Sequence, residues 1–166
     1  MHRLLTPLTF LSLLLSGAIF GFFYAWICST MWGLDTLDAN SAIAAMNAMN
    51  ITVRNGVFMP AFLGTPVVLL ITALVAFLLK QRKVAVLLGF AGVIYIAGAF
   101  IPTANINVPM NIALEVYSEP LPIEEADAIW AEYSPRWQFW KTFRTIAAGV
   151  SLLLVGLALT TLPRRS

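Results

Sequence analysis

Four stretches of this chain are apolar with few interruptions over the length that crosses a bilayer, about 20 residues. They cover residues 4–28, 57–79, 84–104 and 138–162. The start of the fourth is graded. Ile146 to Leu162 is continuously apolar, whereas Trp137 to Thr145 extends the same helix with aromatics and two cations. The polar segments between spans are patterned too. In residues 29–56, Asp38 or Ser41 caps a helix in which Ile43, Met46, Met49 and Val53 recur at near-helical spacing. Asn47, Asn50 and Arg54 share another face, and Asn55-Gly56 stops the helix. This predicts an amphipathic helix at the membrane surface or across the bundle mouth, its polar face in water.

The segment from Pro102 to Arg136 opens with a polar–apolar mixture, Thr103 to Asn111, directly after the third span. Pro109 cannot donate the usual internal hydrogen bond, so the helix is kinked or restarts there. After a restart Asn111 and Glu115 share a face; a continuous kinked helix adds Asn107. Asparagine is costly in hydrocarbon, so these side chains should turn into the bundle and find partners. Glu124, Glu125 and Asp127 follow Pro122, where acids suit the positive end of a short helix.

Composition agrees. Hydrophobic residues make up 60% and charged residues 11% of 166, with a mean hydropathy of +0.84. A water-soluble domain carries about a quarter charged residues, and a chain of this length has too small an interior to hide so much apolar surface. The expected architecture is all-α: one integral membrane domain over residues 1–166, a four-helix transmembrane bundle. An amphipathic helix occupies its first outer loop and short helical segments its second. The alternative for the N-terminus, a cleaved leader ending near Ser16-Gly17-Ala18, fits less well because the apolar run continues through Ile27.

Charge sets the direction. Arg3, the cluster Lys80, Arg82 and Lys83, and the tail Arg164 and Arg165 fall at one end of the spans. Asp35, Asp38, Glu115, Glu119, Glu124, Glu125, Asp127 and Glu132 fall at the other. Basic flanks stay cytoplasmic, so both termini should be cytoplasmic, with a bacterial inner membrane as the default. The net charge of +2 gives no ground for nucleic acid as a partner. One cysteine, Cys28, and one histidine, His2, exclude an intramolecular disulfide and the usual haem, zinc and di-iron ligand sets, so no metal is expected. Lys141 can snorkel outward. Arg144, one turn deeper, needs either snorkelling or a counter-charge from Glu115, Asp35 or Asp38.

Three motifs carry a resemblance. Phe22-Phe23-Tyr24-Ala25-Trp26 with Met31-Trp32-Gly33-Leu34-Asp35 closes the first span, Asn107-Val108-Pro109-Met110-Asn111 follows the third, and Trp137, Arg144 and Thr145 open the fourth. In this order they resemble the anthrone-oxygenase-like family of small membrane proteins, over about Gly17 to Ser151. The chain departs from the family pattern where that pattern often has Asn, sometimes followed by His. Here Lys141 and Thr142 stand in those places.

The resemblance implies an oxygenase without a cofactor, acting on a lipophilic aromatic or quinol-like substrate. An anthrone has an acidic carbon-bound hydrogen because its anion is aromatic and delocalised. Asp35 or Glu115 would be the base, a carboxylate made more basic by burial. Arg144, Asn107 and Asn111 would steady the oxyanion, and Trp26, Trp137 and Trp140 would line a flat pocket at the outer mouth. The contrasting class is a non-enzymatic accessory subunit of a larger membrane complex or a homo-oligomer. It predicts a closed interior and small residues such as Gly89, Gly92 and Gly98 facing outward. A transporter is disfavoured, because Val84 to Phe100 carries no charged or amide side chain. The direction is testable in a Cys28→Ser background with a membrane-impermeant maleimide on intact cells. Asp127→Cys should label at once, and Lys83→Cys only after permeabilisation; the opposite result inverts the topology.

Overall fold

The computed structural model describes residues 2–117 and 120–162, with side chains from Leu4 onward. The side chains of Arg3, Glu119, Arg164 and Arg165, used above for the charge distribution, lie outside the described residues. Five helices are found and, among the described residues, no strand. They are α1 (Leu4–Leu34), α2 (Ala39–Thr52), α3 (Phe58–Leu78), α4 (Arg82–Glu115) and α5 (Ile123–Thr160). All but α2 are long and apolar enough to cross a membrane, and they form a four-helix transmembrane bundle. Around it the order is α1, α3, α4, α5, with α5 returning to α1.

Phe23, Phe62, Leu69, Leu88, Tyr95 and Val155 fill the space between the helices. Leu14, Leu74, Phe77, Phe90 and Leu153 point outward with more than half their surface uncovered. Such an apolar belt suits lipid rather than water. Polar side chains inside the bundle join helices. Ser12 and Thr72 hydroxyls meet at 3.2 Å, the Tyr95 hydroxyl donates to the Phe62 carbonyl, and Ser151 donates to that of Ala91. The turn after α3 is tight: Lys80 adopts φ 61°, and the Gln81 amide reaches back to the Ala76 carbonyl. That closure usually falls to glycine.

At 1.5 Å per residue, the 38-residue α5 is about 57 Å long against a hydrocarbon thickness of about 30 Å. Its excess, the ends of α1 and α4, and α2 build a cap with its own apolar centre. Met31, Ile43, Met46, Leu114, Trp130 and Trp137 belong to it. Asp38 caps α2 by accepting from the Ser41 amide at 3.0 Å. The Ser41 hydroxyl and amide hold the Asp38 carboxyl below the ordinary carboxylate range. The cap on α2 is therefore complete above that range and is lost as pH falls through the lowered value.

Two expectations change. The segment after the third span is not a loop, and of the two readings of Pro109 the continuous helix holds and the restart does not. Instead α4 continues through Pro102 and Pro109 to Glu115, using wide π turns at Ile96–Phe100 and Thr103–Asn107. Each proline lacks an N–H and crowds the carbonyl four residues back, and a widened turn before it relieves both problems. Likewise the short helix after Pro122 is the first turn of α5 itself, with Glu124 and Glu125 at its positive end. Gly92 and Gly98 face neighbouring helices rather than outward, against Leu70 and Ala147 respectively.

A Cβ placed on Gly98 would lie 2.4 Å from Ala147 Cβ, with no flexible side chain to yield. Gly98→Ala should therefore destabilise the bundle by about 1–3 kcal/mol, read as the midpoint of unfolding in mixed micelles. Gly89→Ala, which meets nothing within 4 Å, should not.

Candidate functional site

The inward face of α5 carries two cations one turn apart, Lys141 and Arg144, exposed by only 2% and 3%. They lie where the membrane core meets the cap. Lys141 does not snorkel as expected: α5 runs a further 18 residues before it, from Ile123, so the cap covers it. Its Nζ sits 4.0 Å from the centre of the Phe23 ring, 5.2 Å from Phe22 and 5.4 Å from both Trp26 and Trp137. Arg144 Cζ lies 5.2 Å from Phe23 and 5.6 Å from Trp137. Ring faces attract cations, each by about 0.5–2 kcal/mol depending on exposure. The cage thus offsets part of the cost of burying two like charges.

Among the described residues, neither cation meets a carboxylate. Arg144 Nη1 donates to Thr103 Oγ1 at 2.9 Å, while its Nε and Nη2 have no partner. The counter-charges considered for it are engaged elsewhere. Asp35 stands exposed at the end of α1 and accepts from Trp130 Nε1, Ser134 Oγ and Gln138 Nε2 at 2.7–3.0 Å. Glu115 pairs at 2.5 Å with Arg54, joining α4 to the end of α2. Asp38 caps α2. The buried base expected from Asp35 or Glu115 is therefore not present at this site; both acids hold the cap together.

The asparagines do come inward. Asn111 accepts from the Tyr133 hydroxyl at 2.8 Å and from Trp137 Nε1 at 2.9 Å, and donates to Asn50 Oδ1 at 2.9 Å. Asn107 is buried and donates to the Trp137 carbonyl at 3.5 Å, leaving its own Oδ1 without a partner. The polar face of α2, expected in water, is turned to protein because α4 and α5 rise beside it. Asn47 donates to the Leu114 and Tyr117 carbonyls, and Asn50 is buried with its Nδ2 unpartnered.

A cavity of about 70 Å³ lies among these groups, lined by Lys141, Arg144, Asn50, Asn111 and the rings of Phe22, Phe23, Trp26, Phe58 and Trp137. Of the residues singled out in the sequence, Trp26, Asn111, Trp137 and Arg144 line it and Asn107 packs beside Trp137. Trp140 does not. It is half-buried and packs edge-on against Phe139 and Phe143 on the outward face of α5. Lys141 and Asn50 were missed as site residues. The signal for Lys141 was present, since it shares a helix face with Trp137 and Arg144 at i−4 and i+3. No group of three His, Cys, Asp or Glu side chains forms a metal-binding cluster among the described residues.

The fold and site define a small all-helical membrane-type protein with a cationic, amide-lined cavity beneath a helical cap. The sequence profile of the anthrone oxygenase family matches residues 56–154, well over half of the chain, and the protein belongs to that family. The match takes in α3, α4 and most of α5, and hence Asn107, Asn111, Lys141 and Arg144; α1 and α2, which supply Trp26 and Asn50, precede it. No curated protein and no solved structure matches the chain.

Asn111 joins three partners through one amide, so Asn111→Leu should orphan Tyr133, Trp137 and Asn50 together. Each buried group left unpaired costs about 1–3 kcal/mol. A lowered unfolding midpoint with quenched or shifted tryptophan emission should report it; an unchanged midpoint would show that the network carries no stability.

Proposed function

We propose that this protein is a cofactor-free oxidoreductase that oxygenates a lipophilic aromatic, an anthrone or a quinol-like relative, within the membrane. The observation that carries the reading is the Lys141–Arg144 pair, buried among aromatic rings without a carboxylate. Donors fixed in a site of low dielectric stabilise a developing oxyanion without reorganising during the reaction. Loss of a proton from the anthrone methylene leaves a delocalised anion whose charge rests largely on oxygen, facing these cations. Dioxygen accepts the electron pair at the reactive carbon, forming a C–O bond, and the peroxide takes up a proton. Loss of water from that hydroperoxide breaks the O–O bond and the remaining C–H bond and leaves the second carbonyl. Anthrone and dioxygen thus give anthraquinone and water.

In this reading the roles differ from those suggested by the motifs. Lys141 and Arg144 favour the anion, Asn111 and Asn50 orient it, and Trp26 and Trp137 flank its oxygen-bearing end. Asp35 and Glu115 keep the cap in place, and the first proton passes to water at the acidic end. That end faces outward, both termini lie in the cytoplasm, and a bacterial inner membrane houses the protein.

The test is dioxygen uptake and anthraquinone formation by the protein in nanodiscs supplied with anthrone. Wild type should exceed protein-free nanodiscs, and Lys141→Met should lower kcat by about 100-fold or more, as removal of one oxyanion donor does elsewhere. Turnover equal in wild type and Lys141→Met, or absent from both, would end this reading.

A further inference from the structure

The unpaired groups around the cavity say more about the ligand. Arg144 Nη1 is held by Thr103 Oγ1, which itself donates to the Ala99 carbonyl at 2.6 Å. This fixes the guanidinium plane. The two donors left over, Nε and Nη2, share the opposite edge of the guanidinium, where their hydrogens run parallel. That edge is the fork that takes two oxygens of one anion side by side. Asn50 adds a third unpartnered donor, Nδ2, because Asn111 occupies its oxygen. The Lys141 ammonium supplies further donors from the same helix face. The unpartnered amide oxygens are Asn107 Oδ1, beside Trp137, and Asn47 Oδ1, on α2, and neither residue lines the cavity. The surplus of donors calls for a group that only accepts.

Size narrows the choice. About 70 Å³ is under half the roughly 150 Å³ of a cavity that admits one benzene ring. A pair of oxygens on one carbon framework fits; three fused rings do not. The rest of the ligand must lie beyond the cavity, past Phe22, Val53 and Phe58, which line it and are themselves only half-buried.

We infer that the cavity takes the two-oxygen head of a monoanion, held side-on by the Nε–Nη2 edge of Arg144 beside Lys141, with its apolar body lying outside among the rings. A carboxylate and the enolate of a hydroxy-ketone share this chemistry. The inference rests on reading the cavity as the ligand site of the proposed oxygenase, and is measured by binding alone.

The experiment uses the full chain in nanodiscs, without dioxygen, titrated with anthracene-9-carboxylate and with the neutral anthracene-9-methanol, followed by fluorescence. The carboxylate should bind saturably and at least tenfold more tightly than the alcohol. Arg144→Lys keeps the charge but loses the fork, and should weaken carboxylate binding about tenfold while leaving the alcohol unchanged. Equal binding of the two probes, or Arg144→Lys binding the carboxylate as wild type does, overturns the inference. Competition then separates the sources. Displacement by decanoate assigns the head to an aliphatic carboxylate, and displacement by 1-hydroxyanthrone alone assigns it to an aromatic hydroxy-ketone; displacement by neither overturns it. Anthrone turnover without carboxylate preference removes the inference and leaves the oxygenase reading; preference without turnover does the reverse.

Discussion

Two like charges buried side by side set the terms for everything around them. A cation in hydrocarbon is costly, and two without an acid are costlier, since each raises the cost of the other. The chain meets this cost with geometry rather than with a salt bridge. Phe22, Phe23, Trp26 and Trp137 turn toward Lys141, and Thr103 fixes one end of Arg144. The cap then keeps water off both. Remove the cap and the cations would meet an interface, where they could snorkel and lose their fixed positions. A preorganised positive site inside a membrane protein thus requires the apparatus that covers it.

That apparatus explains where the acids went. Asp35 gathers three donors from α5 to the end of α1, Glu115 ties α4 to α2 through Arg54, and Asp38 starts α2. Each lies on the perimeter, and none reaches the cavity. The amides take the interior in their place. An asparagine both donates and accepts without net charge, so Asn111 links Tyr133, Trp137 and Asn50 without neutralising the cations nearby. Anions outside and amides inside leave the cavity positive.

Much of the fold was legible because hydrocarbon imposes a simple rule: about 20 apolar residues per crossing. The spans, the helix after Asp38 and the inward turn of Asn107 and Asn111 all follow from patterns along the chain. The height of the cap does not. Residues 123–137 are too polar to read as part of a span, and only packing against α2 and the end of α1 makes them continuous with α5. The site was legible by half. Trp26, Asn111, Trp137 and Arg144 stood out as polar or aromatic groups at a membrane edge. Lys141 was misread because the same position one turn from water would be an ordinary snorkelling lysine, and sequence does not state how far the covering protein extends. Asn50 was misread because a polar helix face looks alike whether it meets water or other amides.

The wide turns of α4 have a consequence for how such a chain tolerates change in length. A π turn holds one residue more than the α turn it replaces, and one residue corresponds to a rotation of about 100°. Two such turns lie between Tyr95 and Val108, so the helix beyond them is rotated by about 200° relative to an unbroken α-helix. Asn111 lines the cavity because of that offset, with Asn107 beside Trp137 at the end of the second turn. A single-residue deletion in this stretch would let one π turn close to an α turn, keeping the amide of Asn111 on its face while restoring the crowding that the widened turn relieves before its proline. A change of one residue here is therefore absorbed by widening or narrowing a turn, and what it alters is the relief at the proline rather than the facing of the site.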